Sequence, residues 1–325
     1  MKRSFYKLLV TFLVIASSPF LVRYLLFNKK IRLLNNIYFN SPAIITTEKN
    51  CNNYDALLDK TLDSSFSVSI IKNGSVISSH NEDKLKVPAS NQKLFSSAYV
   101  LSKYKINNNL KTSLIRGRNN DYYLIGKGDP DLTYSDIYKL ISYIKYNKNI
   151  NVNIVEINSK YYWPKGWSKT DKIYEYGAPI TTLAIESNSL NYDNIFNLNK
   201  LIEKFLKDKY PSSNIKINNL DLNKLFYIRN TKEIYSIYSN PIVSLLTLAN
   251  SESHNFTAES LFKNASNTWN DNIYDELKKW LRIKGLPISN TNFADASGLS
   301  RENKVTTKLI ALFLDKMRYS KDFKT

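Results

Sequence analysis

An α+β fold is predicted for this chain by its hydrophobic spacing, which changes period along the sequence. Apolar residues alternate at Phe66, Val68 and Ile70 and resume at Val76 across Asn73-Gly74. That pattern predicts two antiparallel strands between Phe66 and Ser79, because Asn-Gly accepts the positive φ that a tight primed turn demands. After Pro88 the interval becomes three and four, at Leu94, Phe95, Ala98, Leu101 and Tyr104, which predicts a helix with one buried face and Ser90 at its start. Helical spacing returns from Asn240 to Asn250, Asn255 to Asn264, Asn272 to Ile283 and Thr306 to Tyr319. The stretch from Asp121 to Ile157 is strand-rich: YYLIGKGDP (Tyr122 to Pro130) predicts a strand running into a turn, and IVEI (Ile154 to Ile157) another strand. Aromatic sequence follows, through Trp163, Trp167 and Tyr176, and no internal repeat is present.

At 325 residues and 43% hydrophobic composition, the chain has enough apolar sequence for one large domain or two smaller ones. Its net charge of +18 comes from lysines scattered among Asn, Ile and Tyr rather than from a basic block, so it does not indicate a nucleic-acid partner. A single cysteine, Cys51, excludes an intrachain disulfide. With only His80 and His254 beside it there is no credible set of zinc or iron ligands, and no metal or other cofactor is expected. The same scarcity of histidine argues against a Ser-His-Asp triad, so a serine nucleophile here needs a different base.

The N-terminus carries Lys2, Arg3 and Lys7 and then an uncharged apolar stretch, Leu8 to Val22, closed by Arg23. Fifteen residues is short against the roughly 20 of a membrane span and suits the apolar core of an export signal. An uncleaved anchor is the alternative, because Tyr24 to Phe27 extend the apolar run. Either way, membrane contact is expected only within residues 1–27, with the rest in the periplasm or on the outer face of the cytoplasmic membrane.

The sharpest chemical candidate is PASNQKLF, Pro88 to Phe95. Ser90 and Lys93 are three apart at a helix start and lie on one face, so their side chains meet. A serine hydroxyl is a weak nucleophile until a neighbouring base takes its proton, and a helix N-terminus favours the negative charge that develops. Lys93 serves as that base only if burial or a nearby cation destabilises its ammonium. Ser-x-x-Lys alone carries little weight, since it recurs at Ser4, Ser69, Ser102, Ser142, Ser213 and Ser260; an ordinary helix cap with a solvated lysine is the competing reading.

Further segments supply the context: YLIGKGDPDLT (Tyr123 to Thr133), YGAPI (Tyr176 to Ile180), SHNFTAES (Ser253 to Ser260) and DASGLSREN (Asp295 to Asn303). With PASNQKLF, and in this order, they resemble the D-alanyl-D-alanine carboxypeptidase/endopeptidase class of low-molecular-mass penicillin-binding proteins, from about Phe66 to the end of the chain. The resemblance implies a penicillin-binding/β-lactamase-like transpeptidase domain, helices packed on an antiparallel sheet, split over residues 45–110 and 234–325, with a strand-rich inserted domain at 111–233. It implies Ser90 as the acylated nucleophile, Lys93 as its base, and Ser253 and Asn255 as the Ser-x-Asn element, with His254 the variable middle position. Peptidoglycan stem peptides are the implied substrates and β-lactams the implied covalent inhibitors. DASGLSREN is expected to form a turn packed under the site, with Gly298 giving backbone freedom and Asp295 or Ser297 capping. Neither Arg301 nor His80 is expected to be catalytic.

The sequence departs from that class in one respect. Its third element, Lys-Thr-Gly, does not occur in the seventy residues after Asn255, and the chain closes on Lys324-Thr325. In the class that strand pairs with substrate and completes the oxyanion hole, where one missing donor costs about 10²–10³ in rate. The expectation is of a copy lacking its C-terminal strands, or one part of a longer product. The alternative function is a silent penicillin-binding-like protein or peptidoglycan-binding module; a basic envelope protein holding anionic polymer is a remoter one.

Overall fold

The computed structural model describes residues 54–119, 121–189, 193–227, 230–270 and 273–320. The proposed export segment 1–27, Cys51 and Lys324-Thr325 lie outside the described residues. Two strands form where alternation predicts them, β1 (Val68–Lys72) and β2 (Ser75–His80), with α1 (Asp55–Thr61) before them. Asn73 and Gly74 both take positive φ, 50° and 81°, so the hairpin turn is the primed one that right-twisted strands require. Asp55 holds the second strand, one carboxylate oxygen accepting from the Ser78 hydroxyl and the Ser79 N–H, each at 2.7 Å.

The helix expected after Pro88 is α2 (Gln92–Leu101), entered through a single 3₁₀ turn, Ala89–Asn91. It differs from the expectation of one buried face: Gln92, Lys93, Ser96 and Ser97 are buried along with Phe95, Ala98, Tyr99 and Val100. The reason is its central position. The chain continues as β3 (Asn109–Arg116), β4 (Asp121–Ile125), α3 (Tyr134–Ser142), β5 (Asn149–Glu156), α4 (Asp193–Lys209), β6 (Asn214–Asp221) and β7 (Lys232–Pro241). It then runs through α5 (Ile242–Ser251), α6 (Asn255–Ala265), α7 (Tyr274–Ile283) and α8 (Thr307–Met317), within a few residues of the four helical stretches predicted. Helices α5, α6 and α7 all contact α2, while α8 packs on β1. One apolar cluster joins Phe95, Tyr99, Leu245, Phe262, Leu277 and Phe313.

A five-stranded sheet in the order β6-β5-β4-β3-β7 has its own cluster, built on Leu114, Leu124, Ile137, Ile150, Val152 and Ile202. It is mixed: β3 runs antiparallel to β4 and β7, whereas β4, β5 and β6 are parallel. Parallel neighbours need a crossover, and α3 and α4 are those crossovers. Helix α3 starts at a capping box in which Thr133 accepts from the Asp136 N–H at 3.2 Å and the Asp136 carboxylate accepts from the Thr133 N–H at 3.0 Å.

Candidate active site

Ser90 is exposed in the 3₁₀ turn that leads into α2, and Lys93, one turn on, is buried beneath it with 2% of its surface accessible. Ser253 is the second residue before α6 and Asn255 is that helix's first residue, so two helix starts bring the four predicted residues together across about 160 positions. The Ser90 and Ser253 hydroxyls lie 2.7 Å apart. Lys93 Nζ donates to Asn255 Oδ1 at 2.7 Å and to the Ser297 carbonyl at 2.8 Å, and faces Ser253 Oγ at 3.3 Å and Ser90 Oγ at 3.4 Å. Asn255 is itself fixed, its Nδ2 donating to the Tyr176 carbonyl at 3.0 Å. Both serines therefore stand over an amine whose other two protons are already committed.

Burial pushes the Lys93 ammonium down to about 8, against the opposing pull of the Glu259 and Asp295 carboxylates. A charged lysine loses water here without gaining a direct ion pair, which is the condition its use as a base requires. His254 is turned away to Thr257 Oγ1 at 2.7 Å; burial lowers its pKa, with Asp131 opposing and Lys93 adding to the shift. His80 sits at the end of β2, 2.6 Å from Asp59 and 3.1 Å from the Asp63 carbonyl, in the α1–β2 layer.

The floor is the DASGLSREN turn. Asp295 is fully buried and its carboxylate accepts from the Gly298 N–H, the Ser300 N–H and Asn303 Nδ2 at 2.6–2.7 Å, and from Trp167 Nε1 at 2.9 Å. Gly298 has φ 86°, and a Cβ there would stand 1.8 Å from the Ala89 carbonyl oxygen, so only glycine lets this turn reach the backbone beside Ser90. Ala89 and Ser253 also hold positive φ, 49° and 56°. Left-handed backbone at a residue with a Cβ costs ~1–2 kcal/mol, and here it flanks one serine and carries the other.

Sequence reasoning missed Glu259. One turn beyond Asn255 on the same face of α6, it is buried, and its Oε1 accepts from the Ala296 and Ser297 N–H groups, both at 2.8 Å, while Oε2 accepts from the Tyr274 hydroxyl. Burial chiefly, with Asp295 beside it, pushes its pKa up to about 7. An acidic residue four positions after Asn255 inside a stretch otherwise reading as buried helix was the available signal. Also unanticipated are the cleft walls: an opening of about 500 Å³ over Ser90, Ser253 and Asn255 is lined by Asp171, Tyr176, Leu299 and Arg301.

The helical domain with its serine and lysine at a helix start, with the mixed sheet beside it, matches the fold of a solved penicillin-binding protein. The chain belongs to the D-Ala-D-Ala carboxypeptidase 3 (S13) family, whose model matches residues 53–197 and 194–325. Among solved structures it is similar to penicillin binding protein 4 (dacB) from Haemophilus influenzae, with a TM-score of 0.62 and 17% identity over 82% of this chain and 79% of that one. A second structure of that protein, complexed with a novel β-lactam, aligns with a TM-score of 0.56 and 19% identity, covering 76% of this chain and 72% of the other. Curated proteins gave no match. Among the described residues no helix is long and apolar enough to cross a membrane.

Proposed function

We propose that this chain is an exported D-alanyl-D-alanine carboxypeptidase/endopeptidase acting on peptidoglycan stem peptides through an acyl-enzyme on Ser90. The observation that carries the reading is the convergence of Ser90, Lys93, Ser253 and Asn255 over a depressed lysine. Ser90 Oγ attacks the carbonyl carbon of the penultimate D-alanine as its proton passes to neutral Lys93, directly or through Ser253 at 2.7 Å. The tetrahedral intermediate expels the terminal residue, whose amine takes that proton from the lysine–serine pair. Water then cleaves the ester and restores Ser90. Asn255 holds Lys93 in register and borders the cleft where the substrate amide lies. In this reading residues 1–27 direct export to the periplasm or the outer face of the cytoplasmic membrane, and 111–233 form an insert; the separate apolar core around the sheet supports an insert in this region, with β7 as far as Pro241 sharing the same sheet and core.

The test is covalent labelling of the folded protein with a fluorescent penicillin, followed by intact mass and by D-alanine release from a stem pentapeptide. One adduct per chain, absent when the protein is heat-denatured before labelling, is the expected result; absence of any adduct on the native protein leaves family membership intact and removes the activity.

The pH dependence of acylation follows from Lys93. Because it must accept a proton, only its neutral form is active, and that form becomes scarce below a pKa of about 8. Acylation rate is expected to fall about tenfold per pH unit below that value and to level above it. A profile flat from about pH 6 to 9 would show that Lys93 is not the base.

A further inference from the structure

A second cavity, of about 420 Å³, opens away from the catalytic residues. Three of its walls come from the residues just beyond parallel strands: Lys127 after β4, Ile157 and Asn158 after β5, and Leu222 and Asn223 after β6. The fourth is the end of α6 and the turn after it, Asn264 to Asn270. The crevice outside the carboxyl ends of parallel strands is where open α/β sheets bind ligands, and the volume is that of a small-molecule site.

The lining says which ligand. Crevices of this kind commonly hold phosphates, through glycines that admit the ligand to the backbone and a helix N-terminus that attracts it. Among the described residues no glycine and no α-helix N-terminus lines this cavity, only the starts of two short 3₁₀ turns at Asn158 and Leu222, the first already capped by the Asn158 side chain. The glycines of the GKGDP turn are used for protein packing: a Cβ on Gly126 would lie 2.0 Å from the Thr182 carbonyl oxygen, and one on Gly128 would meet Trp269 at 2.8 Å. The helix that ends in the cavity presents its C-terminus, whose dipole disfavours anions. Lys127 is the single charged side chain of the lining, which otherwise offers five asparagines, Thr268, the rings of Tyr161 and Trp269, and two aliphatic side chains. Asn264 is pinned through its Nδ2, which donates to the Lys127 carbonyl at 2.6 Å and the Ser260 carbonyl at 2.7 Å. That leaves its Oδ1, which accepts from no donor among the described residues, as an oriented acceptor.

We infer that this cavity binds a neutral N-acetylated amino-sugar unit of a glycan strand. Primary amides match the paired donors and acceptors of sugar hydroxyls and of an acetamido group. Aromatic rings pack against the C–H face of a pyranose, and Ile157 with Leu222 takes the acetamido methyl. The choice of sugar rests on the peptidoglycan reading of the family; the neutral polyol chemistry does not. Because α6 starts at Asn255 and ends in this cavity, at 1.5 Å per residue the two sites lie roughly 15 Å apart through the protein. A glycan held here keeps the polymer against the enzyme between cleavages.

The test is calorimetric titration of the full chain with N,N′,N″-triacetylchitotriose and with peptide-free glycan strands, using cellotriose as the sugar without acetamido groups. The acetylated sugars are expected to bind, with cellotriose at least about tenfold weaker, and Tyr161→Ala and Asn223→Ala to weaken binding by about tenfold each, ~1.4 kcal/mol. Penicillin labelling of both variants stays at the unsubstituted rate and reports that they are folded. Binding that is absent, or unchanged in both variants, overturns the site; cellotriose binding equally well overturns the acetamido assignment. Sugar binding in a protein that penicillin fails to label would sink the peptidase reading and leave this one standing.

Discussion

Ser90→Ala is expected to abolish the penicillin adduct, and Lys93→Met to slow its formation by about 10²–10⁴. The methionine fills the space of the lysine stem without its charge, so the second variant removes the base together with its two hydrogen bonds to Asn255 and Ser297. Ser90 is the residue at issue because Ser253 competes with it on geometry: both are exposed, both precede a helix, and both lie within 3.4 Å of Lys93 Nζ. In the proposed mechanism attack falls to Ser90 and proton transfer to Ser253. Mapping the adduct by peptide mass decides between them. An adduct that persists in Ser90→Ala and maps to Ser253 would reverse the two roles, and an unchanged rate in Lys93→Met would place the base elsewhere. Chemical denaturation of both variants checks that each is folded.

The features legible in the sequence are those whose signals are local. Asn73-Gly74 fixes a hairpin by backbone sterics alone, and α5, α7 and α8 show a 3.6-residue period because each buries a definite stripe, whereas α6 is buried on nearly every side. The meeting of Ser90 with Ser253 was legible only through motif order, since nothing local connects residues 163 positions apart. The parallel pairing of β4, β5 and β6 was not legible: a strand covered on its buried face has the same alternation whichever way its neighbour runs, and β6 (NIKINNLD) is too polar to stand out. Helix α3 was hidden inside a region read as strands, although Thr133 and Asp136 spelled its capping box. The burial of Lys93 was missed for a different reason. Hydrophobic spacing assumes that a helix shows one side to water, and α2 shows almost none, so a lysine and several serines sit inside where polar periodicity would place them outside.

Asp295→Ala is expected to cost ~3–5 kcal/mol of folding stability, a large share of the 5–15 kcal/mol that domains of this kind possess. The carboxylate is fully buried and accepts from two backbone N–H groups, one indole N–H, one asparagine amide and, at 3.3 Å, the Ser297 hydroxyl, and truncation removes all five bonds in a buried place. Chemical denaturation measures the loss; an unchanged midpoint would mean that the turn finds other partners. The turn also carries the Ser297 carbonyl that holds Lys93 and the Gly298 backbone packed on Ala89, so stability and acylation should fall together. Asp295→Asn separates the two effects. It keeps the shape and one acceptor oxygen but deletes a negative charge that raises the pKa of Lys93. With that support gone, burial is opposed by Glu259 with less help, and the lysine pKa moves further below about 8. The pH profile of acylation in the folded Asp295→Asn protein should therefore shift toward acid, a displacement that looser packing alone would not produce and that ties the buried carboxylate to the chemistry above it.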